Sequence, residues 1–129
     1  MIPFGPATRI FLATAATDMR RGFDGLTELV RQQLAEDPLS GHLFLFTNRR
    51  RTRLKVLVWD SSGLWVCAKR LEKGTFHWPT PDRDETKVRI GAEELALLLG
   101  GLDWPSTQRR RWWRRFPENK PAVMESVSI

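Results

Sequence analysis

Four arginines lie within five consecutive residues of this chain, in the segment Asn48-Arg49-Arg50-Arg51-Thr52-Arg53. Guanidinium groups form paired hydrogen bonds with phosphate oxygens, so a polyanion is the ligand that such a cluster suits. Apolar runs at 43–46 and 54–59 flank the cluster and indicate two strands joined by a hairpin. Nucleic acid is the commonest polyanion. The alternative is a charged turn that only keeps a hydrophobic sheet soluble.

A second basic segment, residues 109–116, mixes arginines with aromatic residues. Drawn as a helix, it places Trp112, Trp113 and Phe116 on one side. The opposite side carries Arg110, Arg111, Arg114 and Arg115. Such a mixture suits nucleic acid, an anionic membrane surface, or a helix that docks its tryptophans and leaves its arginines in water. We expect 108–129 to be a basic and aromatic C-terminal extension, partly helical and then disordered.

The net charge of +6 is concentrated in these two regions. Residues 49–73 carry eight basic and two acidic side chains, and residues 108–129 carry six and two. Basic charge concentrated in this way is typical of a polyanion footprint. The candidate DNA-binding residues are Arg49, Arg50, Arg51, Arg53, Lys55, Lys69, Arg70, Arg110, Arg111, Arg114 and Arg115.

Catalytic chemistry has little support in the sequence. Two-metal hydrolysis needs several converging carboxylates, and Asp60 is the single position that resembles a catalytic aspartate at a strand end. The turn Asp60-Ser61-Ser62-Gly63 explains that aspartate more simply. His42 and His77 lie far apart without a nearby cysteine or acid motif, and no glycine-rich phosphate loop occurs. We therefore expect no enzyme activity, no metal and no cofactor.

Length and composition indicate a folded intracellular protein. The chain has 129 residues, of which 41% are apolar, and this favours one domain with its own core. Cys67 is the single cysteine and is expected to be a buried, reduced thiol. The N-terminus does not read as a signal peptide, and no apolar run approaches the ~20 residues of a membrane helix. We expect a soluble, cytoplasmic protein.

The first half of the predicted fold is a strand followed by a helix. Residues 9–14 form the strand, and Thr17 or Asp18 is expected to cap the helix, which begins nearer Phe23 than Met19. The stretch 37–41 ends it. Apolar residues at helical spacing predict one buried face. They are Met19, Phe23, Leu26, Val30 and Leu34.

The second half is predicted to be mainly β-structure. Strands at 43–47, 54–60, 64–70 and 75–78, joined by short turns, predict an antiparallel meander. A last strand at 86–90 precedes a helix at 93–99, which Gly100-Gly101 ends. The runs are apolar at nearly every position, so both faces of the sheet should be covered. The prediction is an α+β domain over 1–107, with an antiparallel β-meander sheet or a partly closed barrel packed with two or three helices.

An ordered series of motifs spans residues 2–104. It comprises Thr17-Asp18-Met19-Arg20-Arg21-Gly22-Phe23-Asp24-Gly25-Leu26, Asp37-Pro38-Leu39-Ser40-Gly41-His42-Leu43-Phe44-Leu45-Phe46, Leu54-Lys55-Val56-Leu57-Val58-Trp59-Asp60, Gly63-Leu64-Trp65, Lys69-Arg70-Leu71-Glu72-Lys73-Gly74, Trp78-Pro79 and Leu102-Asp103-Trp104. In this order and spacing the chain resembles the TnpB accessory proteins, products of the second open reading frame of the IS66 family of bacterial insertion sequences. That family is distinct from the RNA-guided nucleases that share the name.

The resemblance implies a role in transposition beside a separate transposase, which supplies the catalytic acids. It carries no catalytic residue over to this chain. Asp18, Arg20 and Arg21 stand out as charged members of a motif, with a role left open between folding and function. The segment Arg109–Arg115 lies beyond the shared pattern.

Three functional hypotheses follow. The first is a non-catalytic DNA-binding factor that is nucleoid-associated and acts at the insertion-sequence ends. Its partners would be the transposase and the other accessory protein of the element, and an oligomer is possible. The second is an adaptor that binds the transposase through aromatic anchors, with incidental DNA contact. The candidate anchors are Trp65, Trp78, Trp104, Trp112 and Trp113. The third and weakest is a metal-dependent nuclease using Asp60.

Overall fold

A computed structural model describes residues 7–80 and 84–100. These residues form β1 (Ile10–Ala13), α1 (Phe23–Gln32), β2 (Leu43–Thr47), β3 (Arg53–Trp59), β4 (Leu64–Arg70), β5 (Lys87–Ile90) and α2 (Ala92–Gly100). The five strands make one mixed sheet in the order β4-β3-β2-β1-β5, which is not closed into a barrel. The predicted α+β class is confirmed.

The sheet combines a hairpin meander with one parallel connection. β2, β3 and β4 are antiparallel neighbours, as the short turns between them predict. β1 runs parallel to β2, because the chain crosses between these strands through α1. β5 then pairs antiparallel with the other side of β1. The meander therefore covers three strands rather than the whole sheet.

The predicted strand at 75–78 is absent; that segment is irregular and crosses one face of the sheet. β4 and β5 lie at opposite edges, so the chain must pass over the sheet between them. Phe76 and Trp78 are 1% and 4% exposed, and the Trp78 indole N–H donates to the Ala13 carbonyl at 2.8 Å. Trp78 is a core residue, so the prediction that it is an accessible partner anchor is wrong.

Both faces of the sheet are covered over β1, β2 and β3, as their continuous apolar runs predict, whereas the edge strand β4 has no fully buried residue. On one face α1 packs Leu26, Leu29 and Val30 against the sheet. On the other face α2 and the 76–78 segment make a second core. Strand side chains alternate between the two clusters, with Leu57 facing α1 and Val56 facing α2. Neither helix in the described part of the chain is long and apolar enough to span a bilayer.

α1 begins at Phe23, as predicted, but its cap and the extent of its buried face differ from the prediction. Its N-cap is Gly22, without a side-chain hydrogen bond, so the predicted cap by Thr17 or Asp18 is wrong. Met19 lies before the helix and packs against its core cluster, while Phe23 is 51% exposed. The apolar spacing predicted a longer buried face, but 18–22 is a separate turn whose polar groups bond among themselves and to the sheet.

The end of α1 also lies earlier than the proline at 38. Ala35 adopts a positive φ of 52°, and the N–H of Glu36 donates to the Val30 carbonyl at 3.0 Å. This left-handed closure satisfies a carbonyl at the helix end. The ammonium of Lys87 donates to the Leu34 carbonyl at 2.8 Å and pairs with Glu36, which fixes the end of α1 to β5.

Glu94 is a buried carboxyl in the first turn of α2. Glu94 is 2% exposed, and its Oε1 accepts a hydrogen bond from the Gly91 N–H at 2.7 Å. Oε2 has no hydrogen-bond partner among the described residues. Burial, reinforced by the nearby Glu93, raises the pKa of Glu94 to about 7 against the opposing Gly91 hydrogen bond. The ionised form of Glu94 therefore destabilises the fold.

We predict that Glu94→Gln stabilises the protein at neutral and alkaline pH. The raised pKa means that the stability contributed by the protonated carboxyl is complete below about pH 4.5 and lost as the pH rises through about 7. At pH 8 the variant should be more stable by about 1–3 kcal/mol. Urea unfolding of both proteins from pH 4.5 to 8 checks this.

His42 also changes stability with pH, because burial lowers its pKa, and its effect has the opposite sign. Since His42 is present in both proteins, the difference between their unfolding free energies isolates the effect of Glu94. A difference in unfolding free energy that does not grow with pH would contradict the assignment.

Candidate nucleic-acid interface

The arginine-bearing loop between β2 and β3 is held by the side chain of Asn48. Its Oδ1 accepts hydrogen bonds from the N–H groups of Thr52 and Arg53 at 2.9 and 3.1 Å. Its Nδ2 donates to the Thr52 hydroxyl at 3.1 Å. Asparagine suits this position because its side chain can bond backbone groups a few residues ahead. The predicted arginine tip is therefore a fixed loop.

The same loop is bonded to the chain that follows β4. Arg51 has a positive φ of 60°, and its carbonyl accepts a hydrogen bond from the Phe76 N–H at 2.7 Å. The carbonyl of Thr52 accepts one from the Leu71 N–H at 2.9 Å. These two bonds place the end of β4, and the arginine at that end, against the loop.

The motif segment 17–21 lies on the other side of the loop. The N–H of Thr17 donates to the Thr47 carbonyl at 2.8 Å, and Thr17 is buried. Asp18 then forms a turn: its Oδ1 accepts the Arg20 N–H at 2.9 Å and its carbonyl accepts the Arg21 N–H at 3.1 Å. The charged motif is thereby positioned at the end of β2.

Asp18 and Arg20 also form a paired ionic contact. The Arg20 Nε–H lies 3.1 Å from both carboxylate oxygens, and Nη2 donates to Oδ2 at 2.7 Å. The side chain of Arg20 remains 91% exposed and that of Asp18 46% exposed. Hydrogen bonds from Arg20 lower the pKa of Asp18 to about 2, so the aspartate is ionised at neutral pH.

Arg21 is oriented by two neighbours. Its aliphatic stem crosses Gly25, where an added Cβ would lie 3.1 Å from the Arg21 Cβ and Cγ. Its carbonyl accepts a hydrogen bond from the Lys55 ammonium at 2.8 Å. Glycine in the first turn of α1 therefore has a packing reason, and Lys55 fastens the turn to β3.

These segments enclose an open groove of about 630 Å³. It is lined by Thr17, Asp18, Met19, Arg20, Asn48, Arg50, Thr52, Arg53, Arg70 and Leu71. Four of these lining residues are arginines, and Asp18 is the single acidic residue among the described residues that line the groove. The excess of guanidinium groups makes the groove electropositive.

The register of β3 and β4 concentrates that charge. Arg53 lies directly opposite Arg70, and like charges in this arrangement repel. Arg70 has a partial counter-ion in Glu72, at 3.2 Å from Nη2. A second cavity of about 390 Å³ is also lined by Arg53, Arg70 and Met19. An anion bound between the two arginines would relieve their repulsion, so the groove is suited to phosphate.

The remaining predicted DNA contacts are divided by the fold. Arg49 and Arg51 are exposed on the loop but do not line the groove. Lys69 faces α2 and donates to the Leu99 carbonyl at 2.7 Å, which satisfies the last turn of that helix. The arginines predicted in the extension 108–129, and the anchors Trp104, Trp112 and Trp113, lie outside the described residues.

Asp60 has the local turn role that its neighbours predict. Its Oδ1 accepts hydrogen bonds from Ser62 and Gly63 backbone N–H groups at 2.9 Å each and from the Ser62 hydroxyl at 3.0 Å. Its Oδ2 accepts the Trp65 indole N–H at 2.7 Å. These bonds hold the pKa of Asp60 well below its usual range, and they explain the carboxylate without a metal.

The other reactive side chains are also explained by local structure. His42 Nδ1 accepts the Arg9 N–H at 2.9 Å, and His77 is buried. The Cys67 thiol is free and partly buried, and burial raises its pKa. Among the described residues no three His, Cys, Asp or Glu side chains lie close enough together to hold a metal ion.

The amino-acid sequence matches the family described as IS66 Orf2-like protein over residues 8–109, a range that includes every residue lining the groove. The chain belongs to the IS66 Orf2-like family. Membership implies an accessory role in the transposition of an insertion sequence, in a family that is generally non-catalytic. The resemblance seen in the sequence motifs is confirmed.

Two relatives of the chain are uncharacterized proteins of Sinorhizobium fredii. The protein y4hO is 39% identical over 114 residues, which cover 88% of this chain and 96% of the relative. The protein y4jC is 41% identical over 102 residues, which cover 79% and 86%. No solved structure matches the IS66 Orf2-like chain.

Sequence reasoning missed the residues that build the groove without carrying charge. Asn48 stands directly before the arginine run, and an asparagine at the start of a turn was the available signal. Thr17 gave no comparable signal, because its backbone bond to Thr47 joins segments 30 residues apart.

We predict that Asn48→Ala destabilises the protein by roughly 1–2 kcal/mol, because three hydrogen bonds to the loop are lost. Asn48→Asp keeps the two backbone bonds to Oδ1 and should cost less. Chemical denaturation of the three proteins measures the difference. Equal stability of wild type and Asn48→Ala would show that the asparagine does not hold the loop.

Proposed function

We propose that this protein is a non-catalytic accessory factor that binds DNA backbone phosphates in the arginine groove and assists a separate transposase at the ends of the insertion sequence. The observation that carries the proposal is the convergence of Arg20, Arg50, Arg53 and Arg70 from three separate segments of the chain. Each of the four arginines is an exposed residue at the surface of the protein.

The unfavourable Arg53–Arg70 register supports a binding role over a solubility role. A charged turn that only keeps a sheet soluble needs no fixed loop and no opposed arginines. Here the loop is fixed by Asn48, and the repulsion is built into paired strands. Repulsion that a bound polyanion relieves is expected of a binding site.

Phosphate contact is a better explanation than base reading. The groove is formed by loops and strand ends, and the described residues place no helix with base-reading side chains across it. Phosphate contacts determine position and affinity but carry no sequence information directly. Preference for the element ends would then come from DNA shape or from the transposase.

The adaptor function remains a second candidate because Trp65 is 44% exposed on the edge strand β4 and held by Asp60. Exposed, oriented tryptophans are common anchors of protein interfaces. An association with the transposase that survives nuclease and high salt, together with no measurable DNA affinity, would favour the adaptor.

We predict that Arg53→Ala weakens binding to insertion-end DNA and makes it less dependent on salt. Each phosphate contact contributes about −0.9 to the slope of log affinity against log salt concentration, so the slope should become shallower by about 1. Fluorescence anisotropy across a salt series measures both quantities, with unrelated DNA of equal length for comparison.

Arg89→Ala is the matched control, because Arg89 is an exposed strand arginine on β5 at the opposite edge of the sheet. It removes the same charge and should leave the slope unchanged. If the two substitutions changed affinity and salt slope equally, DNA binding would depend on net charge alone. That result would contradict the proposed site.

A further inference from the structure

Two groove arginines are already bonded to carboxylates of the protein itself. Arg20 is paired with Asp18, and Arg70 donates from Nε and Nη2 to Glu72 Oε2 at 3.2 Å. In both pairs the acid lies two residues from the arginine. Among the described residues Arg50 and Arg53 form no salt bridge, so the groove contains two occupied and two open guanidiniums.

The Asp18 carboxylate uses the edge of Arg20 that a phosphate would use. Both carboxylate oxygens contact Nε, and Oδ2 also accepts from Nη2. Arginine binds carboxylate and phosphate with the same planar fork of donors, so the two anions compete for it. Arg20 cannot present that edge to DNA while Asp18 holds it.

We propose that Asp18, and to a smaller degree Glu72, are internal competitors that occupy groove arginines until DNA phosphate displaces them. This inference rests on the proposed function and identifies the two carboxylates as regulators of the groove's affinity for DNA. Each competitor is tethered beside its arginine, whereas a lone anion must come from solution. A DNA strand with several linked phosphates can bind the open Arg50 and Arg53 first and then displace the carboxylates.

The exposure of both pairs makes such an exchange feasible. The side chains of Arg20 and Asp18 are 91% and 46% exposed, and those of Arg70 and Glu72 are 64% and 80% exposed. Exposed ion pairs contribute little net stability, so breaking one does not unfold the surrounding structure. The Asp18 turn also survives loss of charge, because an asparagine oxygen can still accept the Arg20 N–H.

The geometry predicts different strengths for the two competitors. Asp18 engages Arg20 through both oxygens with a shortest contact of 2.7 Å, whereas Glu72 uses one oxygen at 3.2 Å. Releasing Arg20 should therefore increase DNA affinity more than releasing Arg70. A general loss of negative charge would not produce this order.

The test compares Asp18→Asn, Glu72→Gln and wild type in salt titrations with insertion-end DNA. Asp18→Asn should bind roughly two- to fivefold more tightly, the factor equivalent to one exposed ion pair, with a slope steeper by about 1. Glu72→Gln should tighten binding less. In Asp18→Asn/Arg20→Ala, affinity should return to that of Arg20→Ala alone.

Asp24→Asn controls for general charge, because Asp24 is an exposed acid of α1 that does not line the groove. Weaker or unchanged DNA binding by Asp18→Asn would overturn the inference. Equal tightening of DNA binding by Asp24→Asn would also overturn it. In either case the proposed function would stand if DNA binding still depended on Arg53. No DNA binding by any of the proteins would overturn the inference and the proposed function together.

Discussion

Backbone hydrogen bonds around the arginine loop are the constraint on which the groove depends. The carbonyl before the loop accepts the Thr17 N–H, and two loop carbonyls accept the N–H groups of Leu71 and Phe76. Two segments distant in sequence, the motif turn at 17–21 and the chain at the end of β4, are thereby fastened to one hairpin. Together with the loop itself they supply four arginines to one surface. Because the bonds are made by backbone groups, the surface side chains are free to repel one another and to bind an anion.

Much of the fold was predictable because the apolar runs are continuous and end at clear turn residues. β2, β3 and β4 lie where the sequence predicts them, and coverage of both faces follows from strands that are apolar on both sides. The segment 75–78 has the composition of a strand, but its aromatic residues fill the core under a chain crossing. Spacing alone could not reveal that crossing, because it depends on β5 pairing with β1 at the far edge.

The candidate site was predictable in kind but not in membership. The arginine run indicated a phosphate-binding surface, and the structure places Arg50 and Arg53 on the groove. Lys69 is adjacent in sequence to the groove residue Arg70, yet strand alternation directs the lysine to the end of α2 on the other face. Arg20 also lines the groove, although the sequence left the role of its motif open. Membership was decided by long-range backbone bonds and by strand register, and neither has a local signature.

An NMR titration of arginine Nε–Hε signals with insertion-end DNA tests the central claim most directly, because it observes each guanidinium separately. The account predicts that the signals of Arg20, Arg50, Arg53 and Arg70 shift together and saturate at one DNA concentration, while those of Arg31 and Arg89 stay in place. Shifts confined to arginines outside the groove, or equal shifts at every exposed arginine, would contradict it.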